Sequence, residues 1–128
     1  MIKFSVEGTP IQQGSMKFIR PGVMIHTRAA ELAVWRADIA AAAKLAGCQP
    51  ITTPIEITMN FRIRKPKSVK RDYPTVAPDL DKYIRAVNDG LTGTAFVDDS
   101  QIIKITATKF YAENPGVDIE VSEEFDCL

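Results

Sequence analysis

Ile55, Ile57, Met59, Phe61 and Ile63 alternate with Glu56, Thr58, Asn60, Arg62 and Arg64. Successive side chains of a strand point to opposite faces, so this segment is a strand with one apolar and one polar side. Such a strand belongs to a sheet covered on one face and open to water on the other. The cover is supplied by two helical patterns. Over 28–46, Leu32, Trp35, Ile39 and Ala42 or Ala43 recur three or four apart among alanines, with Thr27 as N-cap and Gly47 as stop. From about Asp79, Leu80, Ile84, Val87 and Leu91 form a second apolar stripe, closed by Gly90 and Gly93.

Further strands are expected at 2–7, 16–20, 23–26, 102–110 and 117–121, with turns at Gly8-Thr9-Pro10, Pro21-Gly22 and Asn114-Pro115-Gly116. The order is strands, helix, strand, helix, strands. It predicts one α+β domain over 1–128, with a mixed, largely antiparallel sheet and two main helices packed on it.

Nothing approaches the roughly 20 apolar residues of a membrane span, and the N-terminus lacks signal-peptide order. Cys48 and Cys127 have no metal-spaced partners and read as free thiols of a cytoplasmic protein. Zero net charge conceals an asymmetry: residues 1–72 carry 12 Lys and Arg against 5 Asp and Glu, while 73–128 carry 4 against 11. A basic half suits a polyanion. Its densest stretch, with Arg64, Lys65, Lys67, Lys70 and Arg71, is too polar to pack and reads as a loop for DNA contact, with Arg62 of the preceding strand beside it. Lys17, Arg20, Arg28 and Arg36 are further candidates to line a phosphate path.

The acidic half holds the chemistry. Asp79 stands at the start of the second helix and Asp81 in its first turn. Alone, Asp79 is an N-cap and Asp81 a partner of the helix dipole. Two carboxylates that close repel unless a cation joins them. Asp98 and Asp99 then open the next strand, where alternation sends neighbours to opposite faces; spacing does not choose between them. Carboxylates converging from two termini make a hard-cation site, and Mg²⁺ is held by a few carboxylates plus substrate phosphates. Arg85, four residues beyond Asp81, is either an intrahelical ion pair or a clamp on the phosphate, with Asp89 four further on to orient it. His26, the only histidine, is too isolated for zinc or base chemistry.

The run Pro78, Asp79, Asp81, Asp89-Gly90-Leu91, Gly93, Asp98-Asp99 and Gln101-Ile102 resembles the RusA family of Holliday junction resolvases, phage-associated endonucleases that act on four-way DNA junctions. The stretch from Glu7 to Ser15 is similar to that family's start. The resemblance implies a Mg²⁺-dependent homodimer, with Mn²⁺ as the alternative ion, that makes paired nicks in branched DNA. It implies that Asp79, Asp81 and one of Asp98 or Asp99, with Asp99 favoured, are the essential carboxylates. Arg85 stands where the family has a lysine, and Lys82, also a candidate for DNA contact, where it has an asparagine. Arginine keeps the charge with a wider, permanently protonated fork. The competing expectation is therefore a junction-binding protein whose catalysis is weakened by these two changes.

Overall fold

The alternating segment forms β4 (Ile55–Ile63), the strand around which a four-stranded sheet is assembled. A computed structural model describes residues 1–14, 16–20, 23–26 and 29–123, with the backbone alone described for 16–20 and 23–26. The remaining elements are β1 (Ile2–Glu7), β2 (Met16–Arg20), β3 (Val23–His26), α1 (Ala29–Leu45), α2 (Leu80–Leu91), a 3₁₀ turn (Asp99–Gln101), β5 (Ile102–Tyr111) and β6 (Gly116–Ser122). The expected turn at Pro21-Gly22, the Thr27 cap, Arg28 and Cys127 lie outside the described residues, as do the side chains of Lys17, Arg20 and His26.

The sheet order is β1-β6-β4-β5. β6 is antiparallel to both of its neighbours, whereas β5 is parallel to β4 and stands at the edge. A parallel neighbour needs a crossover, and α2 supplies it. β2 and β3 pair as a separate hairpin. The turn at Asn114 to Gly116 does not join paired strands: it carries the chain from β5 past β4 to β6. Gly116 is required there, because a Cβ would meet the Val6 carbonyl at 2.5 Å and the Arg62 guanidinium at 2.6 Å.

One face of the sheet carries Ile55, Ile57, Met59 and Phe61 with Val6, Val117, Ile119 and Val121, all buried beneath the helices. α1 contributes Leu32, Trp35, Ile39 and Ala43, the expected spacing. α2 buries Tyr83, Ala86, Val87, Gly90 and Leu91. Its stripe is thus rotated from the expected one, with Leu80 and Ile84 half-buried at its margin. Two contacts turn it. Tyr83 stacks on Phe61 with ring centroids 5.3 Å apart, and Gly90 lies where a Cβ would come within 3.2 Å of Ile39 and the Arg36 carbonyl. Gly90 therefore sets how closely the helices cross. The opposite sheet face is polar, with Ser5 bonded to Asp118 at 2.7 Å, Thr108 to Asn60 at 2.7 Å, and Lys3 paired with Glu120 at 3.0 Å.

Candidate metal and phosphate site

Asp79 is the N-cap residue of α2, with φ −68° and ψ 148°, but its carboxylate takes no capping hydrogen bond. Its carbonyl instead accepts from the Lys82 and Tyr83 amides. A capping carboxylate stabilises a helix by about 1 kcal/mol, and this one forgoes that bond. Asp81 follows in the first turn, and both side chains are exposed. Two exposed carboxylates, unpaired among the described residues, thus stand at the positive end of the helix dipole.

Their backbone is held from the sheet. The Lys109 Nζ on β5 donates to the carbonyls of Val76 and Pro78, each at 2.9 Å. Lys109 pairs with Phe61 in the apolar phase of β5, between Ala107 and Tyr111. A lysine in that phase is the sequence signal that would have found it.

Beside this anchor lies a cavity of about 170 Å³, lined by Arg64, Arg71, Lys109, Tyr83, Tyr111 and the loop prolines Pro66, Pro74 and Pro78 among others. None of its lining residues is acidic. The described partners of two of its cations are neutral oxygens: Arg71 Nε donates to the Tyr111 hydroxyl at 3.0 Å, and Lys109 to peptide carbonyls. Their charge is therefore left for an anion. Lys65 lies 5.7 Å over the Tyr111 ring, beside an open groove lined also by Arg64 and Lys67. Tyr111 thus fastens the basic loop by its ring face and its hydroxyl.

The second carboxylate pair is placed differently from expectation. Asp98 and Asp99 do not open a strand; they form the 3₁₀ turn ahead of β5, so strand alternation does not govern them. Asp98 caps that turn, accepting from the Ser100 amide at 3.0 Å; the Ser100 hydroxyl first, and this amide second, hold its carboxyl below the usual carboxylate range. Gln101 completes a capping box. Its Oε1 accepts from the Val97 and Asp98 amides, and its Nε2 donates to the carbonyls of Ile51 and Thr53. Asp99 is exposed and free of the capping bond, which makes it the better donor of the two.

These bonds fix the Asp98-Asp99 turn at the end of the sheet where β4 begins, whereas Lys109 fixes Asp79 at the end where β4 finishes. All of α2 beyond Asp81, Lys82 to Leu91, lies between the pairs, about 15 Å at the helical rise. Among the described residues no three Asp, Glu, His or Cys side chains converge as a metal-holding group. The expected meeting of Asp79 and Asp81 with Asp98 or Asp99 inside one chain is therefore corrected. What could hold a hard cation is the Asp79 and Asp81 pair, two exposed carboxylates of which Asp79 makes no capping bond.

Asp89 does not orient Arg85. It accepts from the Gln13 Nε2 and lies 3.7 Å from Arg36, whose guanidinium also donates to the Gln13 Oε1 at 3.2 Å. The Gln13 amide further bonds the Lys82 carbonyl, so the loop after β1 lies along α2. Arg85 rests against that loop. A Cβ at Gly14, whose φ is +103°, would fall 2.6 Å from its guanidinium. Arg62, expected on DNA, is instead bound to Glu7, Asp118 and the Asn114 carbonyl on the open sheet face. Lys67 and Lys70 lie exposed in the basic loop.

An α+β domain that sets exposed carboxylates near an acid-free cationic cavity has the groups that metal-assisted phosphodiester hydrolysis uses. A family model described as "Endodeoxyribonuclease RusA" matches residues 7–122. The chain is also 30% identical, over 95% of its length and 96% of the relative's, to "Uncharacterized protein YqaN" of Bacillus subtilis (strain 168). The chain belongs to the RusA endodeoxyribonuclease family, and is thereby an endodeoxyribonuclease of the Holliday junction resolvase kind. The family acts on branched DNA junctions in recombination, and its nucleases are generally dependent on a divalent metal. Among the described residues no helix is long and apolar enough to cross a membrane.

Proposed function

We propose that the protein resolves four-way DNA junctions by paired, symmetric nicks, acting as a homodimer with Mg²⁺. The observation that carries this reading is the pairing of Asp79 and Asp81, neither used to cap the helix, with the acid-free cavity of Arg64, Arg71 and Lys109.

Asp79 and Asp81 would hold the cation; Asp99, at the far end of α2, would complete the shell only from the second copy of the proposed homodimer. When bound, Mg²⁺ acidifies a water and neutralises charge on the phosphate. The protein's own groups do the rest. Arg64 and Arg71, with Lys65, Lys67, Lys70 and Lys82, draw the DNA backbone onto the loop side of α2. Arg85 sits one turn beyond Asp81, where its guanidinium can bind phosphate oxygens and stabilise the charge that grows on them. Gly14 allows the loop to close against that guanidinium and limits its rotamers. Lys109 holds the peptide carbonyls ahead of Asp79, fixing where the carboxylates point. The expected products are 5′-phosphate and 3′-hydroxyl ends.

The test is a nicking assay on a synthetic four-way junction and a matched linear duplex, with Mg²⁺ or EDTA, alongside Asp81→Asn. Paired Mg²⁺-dependent nicks on the junction alone, abolished by Asp81→Asn, support the reading. Junction binding without nicks in Mg²⁺ or Mn²⁺ replaces it with the binding-protein alternative and makes Arg85→Lys the first reversion to try.

A further inference from the structure

Arg85 stands between two carboxylates on one face of α2. Asp81 is four residues before it and Asp89 four residues after it, and all three are exposed. Side chains four apart on a helix are neighbours, so the guanidinium has two acids within reach. Turned toward Asp81, it lies on the side of the proposed cation and phosphate. Turned toward Asp89, it is drawn along the helix by about 6 Å, and its charge is neutralised within the chain. Among the described residues Arg85 is paired with neither acid.

Asp89 is held instead by two other elements. The Gln13 Nε2, on the loop after β1, donates to it, and the Arg36 guanidinium on α1 lies 3.7 Å away. Arg36 Nη1 also donates to the Gln13 Oε1 at 3.2 Å, so the three side chains close on one another. Each is placed by backbone. The Gln13 amide bonds the Lys82 carbonyl at 3.1 Å, which lays the loop on α2. The close crossing at Gly90, where a Cβ would meet the Arg36 carbonyl at 3.2 Å, brings Arg36 there. A carboxamide offers both a donor and an acceptor, as a carboxylate on one side and a guanidinium on the other require. A glutamate at position 13 would repel Asp89, and a lysine would repel Arg36.

We propose that Gln13 and Arg36 are positioning residues for junction cleavage: by holding Asp89 they keep Arg85 from pairing with it and leave that guanidinium to the phosphate. The catalytic half of this proposal rests on the proposed nuclease reading; the choice of partners within the chain does not. Both residues act through Asp89 rather than on the substrate. The loop from Gly8 to Ser15 thereby belongs to the site although it holds no charged residue. The need is greater for an arginine than for a lysine at position 85, because the guanidinium fork pairs with carboxylates bidentately.

The test is a set of full-length variants, each checked for folding by circular dichroism and assayed on the four-way junction with Mg²⁺. Gln13→Ala and Arg36→Met should each lower kcat about tenfold with little change in KM. Gln13→Ala, at a loop position, carries the test if Arg36→Met does not fold. Asp89→Asn keeps an oxygen for Gln13 and removes the competing charge, so it should nick as wild type does. Added to either variant, it should restore most of the lost kcat. A merely structural latch gives the opposite, because Asp89→Asn weakens it further. Unchanged kcat in the folded single variants, or a loss that Asp89→Asn deepens or leaves in place, overturns the proposal. A second readout needs no cleavage: a double-mutant cycle of Arg85→Met and Asp89→Asn on urea midpoints. The two changes should be additive in the wild-type chain and non-additive in Gln13→Ala, where the side chains pair. Non-additivity in the wild-type chain, or additivity in both, overturns it as well. If wild type nicks no junction in Mg²⁺ or Mn²⁺, the nuclease reading fails, and the cycle still decides whether Gln13 keeps Asp89 from Arg85.

Discussion

Replacing Gln101 with alanine should untie the turn that presents Asp99. The Gln101 amide makes four hydrogen bonds, at 3.0 and 2.8 Å to the Val97 and Asp98 amides and at 2.7 and 3.0 Å to the Ile51 and Thr53 carbonyls. That exhausts a carboxamide, which offers two donors and two lone pairs. A net hydrogen bond contributes about 0.5–1.5 kcal/mol. Three of these four are exposed, so water replaces them in part; the bond to Ile51 is half-buried, and its loss leaves a poorly solvated carbonyl. The expected cost of Gln101→Ala is roughly 2–3 kcal/mol, a large fraction of the 5–15 kcal/mol typical of a domain. Urea unfolding followed by the fluorescence of Trp35, the only tryptophan and a buried one, measures it. With a slope near 1–3 kcal/mol/M the midpoint should fall by about 1–2 M and the slope should hold. Gln101→Glu, which keeps the acceptors and loses both donors, should recover little. A Gln101→Ala midpoint within the equivalent of about 0.5 kcal/mol of wild type would refute the reasoning, because the turn would then be held by Phe96 and its neighbours without the amide.

Gly14→Ala should displace Arg85 and strain a backbone at φ +103°; kcat for junction nicking should fall at least tenfold while the melting temperature drops only a few degrees. Lys109→Met removes two charge-assisted bonds to the Val76 and Pro78 carbonyls and should destabilise by about 2–4 kcal/mol, with hydrogen exchange accelerated first at residues 76–81. Asp98 has its folded pKa below the ordinary carboxylate value because it accepts from Ser100. Its charge therefore stabilises the fold above the carboxylate range and ceases to as pH falls through the lowered value. The stability difference between wild type and Asp98→Asn, followed by urea midpoints from neutral to acid pH, should shrink over that interval.

Local pattern accounts for the elements. The alternation at 55–63, the alanine-rich spacing of 28–46 and the periodicity of 80–91 each report a side chain's phase against its own backbone, and all three elements formed over the expected segments, α2 with its buried stripe rotated. The block from Pro78 to Ile102 likewise identified the family, since a motif is a linear object. The rotated stripe of α2 was not legible, because Tyr83 counts as core only once Phe61 of another element stacks on it. Nor was the role of Arg62, whose partners Glu7 and Asp118 lie 55 and 56 residues away.

By itself, then, the sequence determined which segments are strands and helices, the family, and the class of enzyme. Tertiary structure alone decided that β6 lies between β1 and β4, that β5 is left at an open edge, and that the two acidic pairs stand at opposite ends of α2. The segment 92–98 is long enough to double back along the helix and bring the pairs together. It does not, because Phe96 is buried and the Ile51 backbone bonds Ala95 and Val97, tying the turn to the start of β4. Those partners are some 45 residues distant in sequence, and no periodicity of a segment reports which end of a sheet it will be tied to.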